Sequence, residues 1–105
     1  MASPVSVFAL RFREARERAD ITQEEVAAAA GIDEFSASAR ISQYETGKHA
    51  PRYEIARNLA NALKVPVEFF YAADDQTAEL LLLWFRLPAA QRIKVLAEMK
   101  AQVEA

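Results

Sequence analysis

Cysteine is absent from the 105 residues. That excludes a disulfide framework, a thiol nucleophile and any cysteine-based metal site. Histidine occurs once, at His49, too little for a zinc site or a histidine-based catalytic cluster. Glycine occurs twice and proline four times, so collagen-like and low-complexity classes are excluded as well. The longest apolar run, Leu80 to Phe85, is six residues, where a membrane-spanning helix needs about 18 or more. No basic stretch followed by an apolar run opens the chain, so no secretion signal is expected and a cytoplasmic location is the default. No internal repeat is visible. The acidic pairs Glu24-Glu25, Asp33-Glu34 and Asp74-Asp75 are adjacent and lack partners for acid–base chemistry. A phosphate-cradling glycine loop and a nucleophile elbow are missing too. The expectation is a non-enzyme without cofactor or metal.

What the chain has in quantity is alanine, 22 residues of it, with 52% hydrophobic residues. Alanine is the best helix former and glycine the commonest breaker, so the bias is all-α. The length fits one small globular domain with a short appendage. Thirteen basic against fifteen acidic residues give a net charge of −2, which does not by itself advertise nucleic-acid binding.

Apolar spacing predicts a first helix from about Val5 to Ala19, with Phe8, Phe12, Ala15 and Ala19 inward and Arg11, Arg13, Glu14, Glu17 and Arg18 around them. Thr22 followed by Glu25 is a capping box that opens a second helix, with Val26, Ala27 and Ala30 inward. Gly31 ends it. A third helix over about Ala37 to Thr46 stops at Gly47. A fourth spans about Arg52 to Leu63, with Ile55, Leu59, Ala62 and Leu63 inward. Val67 to Tyr71 reads as a short fifth, with Phe69 and Phe70 as core plugs. After a boundary at Ala72 to Asp75, a helix over about Gln76 to Arg86 is apolar nearly all round and so demands burial on every side. Pro88 suits the first position of a last helix, whose stripe is Ile93, Leu96, Met99 and Val103.

Two short helices joined through Gly31, then a connector and a helix after Pro51, give the segment its character. The residues are Phe12-Arg13-Glu14-Ala15-Arg16, Ile21-Thr22-Gln23-Glu24-Glu25-Val26-Ala27, Gly31-Ile32, Ile41-Ser42-Gln43-Tyr44-Glu45-Thr46-Gly47-Lys48, Pro51 and Leu59-Ala60-Asn61-Ala62-Leu63. In that order they resemble the lambda-repressor-like, or XRE/Cro, family of bacterial and phage helix-turn-helix proteins, over residues 7–71. The resemblance implies a five-helix DNA-binding domain, here with a C-terminal two-helix extension: residues 1–73 and 74–105. One departure stands out. The spacing from Gly31 to Tyr44 exceeds the usual helix-turn-helix spacing by about four residues, so either the loop is longer or the third helix gains a turn at its start.

A helix fits the major groove, where each base pair shows a distinct pattern of donors and acceptors. On a helical wheel Ala37, Ile41 and Tyr44 cluster on one side of the third helix. Ser42, Thr46, Ala39 and Gln43 occupy the other side, Ser38 lies at one edge and Arg40 at the boundary. Ser38, Ser42, Gln43 and Thr46 are the expected base-contacting residues, and Gln43 can pair with an adenine edge through two hydrogen bonds. Arg40 is better placed for a phosphate. Thr22 and Gln23 open the second helix, where free amides favour a phosphate, and by resemblance Gln23 clamps the DNA backbone and supports the reading helix. Lys48 and His49 can reach the sugar-phosphate chain. Arg52 matches a family position that approaches the minor groove. By resemblance, too, Arg16 and Glu45 form an ion pair that orients the reading helix.

Arg40 to Arg57 carries Arg40, Lys48, Arg52 and Arg57 against Glu45 and Glu54, a local surplus of two positive charges. Phosphate contact needs a local basic rim, not a basic chain. So few basic contacts make for weak monomer binding, and two copies on a palindrome double them. The apolar tail, with Leu80, Leu83, Trp84, Leu96 and Met99, is the expected homodimerisation surface. The competing arrangement is an intramolecular hairpin packed on the first and fifth helices. The functional expectation is a transcriptional regulator, by family a repressor, on double-stranded operator DNA. A protein-interaction module, such as an antitoxin that binds a protein partner and autoregulates, is the alternative. A small-molecule sensor is disfavoured, since the chain has no room for a separate ligand domain.

Overall fold

The computed structural model describes residues 6–105. Val5, the expected start of the first helix, lies outside them. The described residues form α1 (Val7–Ala19), α2 (Gln23–Ala29), α3 (Ala37–Thr46), α4 (Tyr53–Leu63), a 3₁₀ helix (Val67–Tyr71), α5 (Asp75–Arg86) and α6 (Ala89–Glu104), with no strand among them.

Each boundary has a local cause. Ser6 caps α1, its hydroxyl accepting from the Ala9 amide at 3.0 Å. The capping box on α2 is complete: Thr22 Oγ1 accepts from the Glu25 amide and Glu25 Oε1 from the Thr22 amide, both at 3.0 Å. At the other end Gly31 takes a φ of +78°. The Ile32 amide reaches back to the Ala27 carbonyl at 2.9 Å and the Gly31 amide to Ala28 at 3.1 Å. Ile32 is thereby turned into the core, the usual companion of this helix ending. Gly47, with φ +79°, ends α3 where a Cβ would lie 3.4 Å from Ser6 Oγ. α4 starts one residue later than expected, with Arg52 as its N-cap. Pro88 likewise sits just before α6 and not at its first position.

The core is built from Phe8, Phe12, Val26, Ile41, Tyr44, Leu59, Leu63, Phe69 and Phe70, among others. Phe8 is its hub: its ring lies 4.9 Å from Phe70, 5.7 Å from Phe12 and 6.5 Å from Tyr44, edge-on to Phe70 and Tyr44. Tyr44 thus anchors the inner face of α3 on α1.

Arg11, expected among the solvated charges of the first helix, is buried instead. Its Nε donates to the Ala72 carbonyl at 2.8 Å, and its Nη2 to Asp75 Oδ1 at 3.0 Å and the Ala73 carbonyl at 3.4 Å. The guanidinium also lies over the Phe69 ring, 5.8 Å from its centre. Helical spacing places Arg11 beside Phe8 and Phe12. The partners that make burial tolerable come from a segment some sixty residues away.

α5 opens on Asp74, whose carboxylate accepts from the Thr77 amide at 3.0 Å and the Thr77 hydroxyl at 2.7 Å. Those bonds hold the Asp74 carboxyl below the usual carboxylate range. Along α5 only Ala78 is fully buried, while Leu81 and Leu82 pack partly on the core. Leu80, Leu83 and Phe85 remain 46%, 58% and 43% exposed. α6 buries no residue, so the hairpin packed on the first and fifth helices is not formed within one chain. It is held to the end of α5 by Arg92, which donates to the Trp84 and Phe85 carbonyls at 2.9 and 2.8 Å. No helix of the described residues is long and apolar enough to cross a membrane.

Replacing Arg11 with alanine strips a buried carbonyl of its donor. The expected loss is about 2 kcal/mol, read as a lower urea midpoint with far-UV helicity retained before the transition.

Candidate nucleic-acid interface

α3 divides as the wheel predicts. Ala37, Ile41 and Tyr44 are buried, and Ser38, Ala39, Arg40, Ser42 and Thr46 are exposed, with Gln43 half-exposed. The Thr46 hydroxyl donates to the Gln43 carbonyl at 3.3 Å. The Ser38 hydroxyl donates to Glu24 Oε1 at 3.2 Å and lies 3.5 Å from Gln23 Oε1, which ties the first turn of α3 to the start of α2. Ser38 can meet a base with its lone pairs or by exchanging that bond.

Glu45, next to the exposed end of α3, is buried. Arg16 forks onto it: Nε donates to Oε2 and Nη2 to Oε1, the latter at 3.2 Å. The third guanidinium nitrogen, Nη1, donates to the Ile21 carbonyl at 2.9 Å. Gln23 Nε2 donates to Glu45 Oε1 at 3.0 Å. One carboxylate therefore joins α1, α2 and α3. The bond to Glu45 holds the Arg16 guanidinium above its already high basicity, against the opposing effect of burial. Arg16 pairing with Glu45 was legible from the sequence by resemblance. The resemblance also implied that Gln23 supports α3; the structure gives its partner there as Glu45, a contact that leaves no periodicity along the chain. The Gln23 amide has a second N–H, which is the one available to a phosphate.

Thr22, Arg40, Lys48, His49 and Arg52 are all exposed. The Thr22 hydroxyl is occupied as the α2 cap. The His49 amide donates to the Gln43 carbonyl at 3.3 Å, which folds the Lys48-His49 connector against the end of α3. Arg52 stands at the head of α4 on the far side of that connector. Basic side chains thus flank the end of α3.

The excess length after Gly31 lies in the connector, not in α3. The Ser36 amide donates to the Asp33 carbonyl at 3.0 Å and the Ala37 amide to Glu34 at 3.4 Å, two overlapping turns that lead into a helix beginning at Ala37. No group of histidine, aspartate and glutamate suited to a metal ion occurs among the described residues.

Removing Arg16 leaves a buried carboxylate short of its charge partner. Arg16→Ala is expected to lose about 3 kcal/mol of stability, measured by urea denaturation. An Arg16→Met/Glu45→Leu double variant, which removes both charges, should regain part of that loss.

Comparison with known proteins agrees with this geometry. The helix-turn-helix family profile matches residues 12–70, more than half of the chain. Among curated proteins, no sequence matches. Among solved structures, the chain is similar to the crystal structure of transcriptional regulator BswR, with 34% identity and a TM-score of 0.81 over 89% of this chain and 92% of that one. The match extends past α3 into the tail, and it joins the divided α3, the Arg16–Glu45 tie and the glycine-ended α2 in one conclusion. The chain belongs to the lambda-repressor-like branch of the helix-turn-helix family of DNA-binding proteins.

Proposed function

We propose that the chain is a transcriptional repressor that reads a palindromic operator in the major groove as a homodimer. Residues 1–73 form the DNA-binding unit and residues 74–105 the dimerisation segment. The observation that carries the reading is the exposed polar face of α3, held against α1 and α2 by the buried Glu45. Such a face meets base edges only if its helix cannot rock, and the fork from Arg16 supplies that constraint. Gln43 reads an adenine, with Ser38, Ser42 and Thr46 beside it. Thr22, Gln23, Arg40, Lys48, His49 and Arg52 contact the backbone or the minor groove. Repression follows from occlusion of polymerase at the site.

The tail supports the dimer. α6 buries nothing and α5 leaves Leu80 and Leu83 exposed, while Leu96 and Met99 are 44% and 43% exposed. A 16-residue helix in water is marginal without a partner surface. The half-exposed Trp84, with Arg92 stacked 5.7 Å from its ring centre, stands where α5 hands over to α6. A second reading rests on the same surface: an antitoxin-like module that presents α5 and α6 to a different protein. A stoichiometric protein partner that co-purifies with the chain would favour it.

Selection of binding sites from random DNA tests the regulator. The expected result is a two-fold symmetric consensus whose affinity falls steeply with salt. Gln43→Ala should lose about ten-fold in affinity and relax selection at one position per half-site. No consensus, or no salt dependence, would defeat the proposal. Light scattering at micromolar concentration should report a dimer, and Leu83→Glu with Met99→Glu should give a monomer with weakened operator binding.

A further inference from the structure

Phe35 is 100% exposed, more than any other large apolar side chain described. Phe35 therefore contributes no buried apolar surface to this fold. Its place in the chain gives the exposure a purpose. It sits in the two overlapping turns before α3, and the Arg40 amide, bonded to the Ser36 carbonyl at 2.8 Å, continues the winding into the helix. The chain therefore reaches α3 already coiling at about three to four residues per turn. Phe35, Ala39, Ser42 and Thr46 stand at the spacing of a single helical face, and all four are exposed. The excess of about four residues after Gly31 amounts to about one turn. The turn it adds ahead of α3 continues the winding outward without lengthening the helix, and Phe35 stands in that turn.

We propose that Phe35 is a specificity-determining residue that packs on the C5 methyl of a thymine at the outer edge of each half-site. The inference rests on the major-groove reading above and deepens it. The thymine methyl is the apolar group that base edges present in the major groove, and a phenyl ring is a suitable contact for it. Asp33 and Glu34 precede the ring, and their carboxylates repel phosphate. On the same winding both fall off the stripe that carries Phe35, Ala39 and Ser42.

The experiment is site selection and affinity measurement with the full chain and with Phe35→Ala, on the selected operator and on one whose outer thymine is replaced by deoxyuracil. The replacement removes only the methyl. Wild type should lose about four-fold per half-site on the deoxyuracil operator, the worth of one methyl. Phe35→Ala should bind both operators equally, with a similar loss, and cease to select that thymine. Its melting temperature, its selection at the Gln43 position and its salt dependence should match wild type. An unchanged consensus and affinity in Phe35→Ala, or a deoxyuracil penalty that persists in it, overturns the assignment of Phe35 and leaves the regulator standing. A wild type that selects no consensus overturns both.

Discussion

A single buried carboxylate holds the helix-turn-helix together. Glu45 lies one residue from the exposed end of α3, yet it accepts from Arg16 on α1 and from Gln23 on α2. An unpaired carboxylate at that depth would be strongly unfavourable, so the three helices are obliged to keep their mutual angles. The net stabilisation of such a pair is small, because desolvation offsets most of the Coulomb attraction. What it contributes is direction. Without it α3 would rest on Ala37, Ile41 and Tyr44, and apolar contacts tolerate small rotations that hydrogen bonds to a fixed carboxylate do not.

Arg11 plays a comparable part at the other end of α1. It fastens the Ala72–Asp75 connector, and with it the start of α5, to the DNA-binding unit. The start of α5 is thus oriented by α1. In the proposed dimer, the separation of the two copies of α3 depends on how rigidly each tail leaves its own domain, and half-sites about one helical turn apart leave little tolerance. Arg11 and Arg16, two of the four arginines of α1, stand one turn and a residue apart and have separate roles. Arg16 orients α3 and Arg11 orients the start of α5. The −2 net charge is compatible with this use of charge. Glu45 is paired with Arg16 in the interior and the exposed Asp75 with Arg11, and the exposed segment after α3 keeps Lys48 and Arg52.

Much of the fold was legible in the residues. The capping box of Thr22 and Glu25, the two glycines at positive φ and the alternation of Ile41 and Tyr44 with Ser42 and Gln43 are local signals, and each landed where the sequence placed it. The candidate site was legible as a face and, by resemblance, as an Arg16–Glu45 pair. Less legible were residues whose environment comes from distant segments. Arg11 looks like an ordinary surface position along its own helix, and the partner of Gln23 on α3 leaves no mark in the spacing. The turn at Asp33 to Ala37 was ambiguous because a longer loop and an added helical turn use the same residues.

The order of residues along the chain was enough to specify the helices, their ends and the polar face of α3, because capping, glycine conformation and apolar periodicity act over a few residues. It was enough, too, to show that the apolar tail exceeds what one chain hides. Which charges are buried was settled by folding, since burial of Arg11 and Glu45 depends on partners brought from other helices. Folding also settled that the added residues extend the turn and not the helix, and that α6 stands off its own domain with its apolar side chains in water. Packing is a property of surfaces that meet only after folding, and no spacing along the chain encodes which surfaces those are.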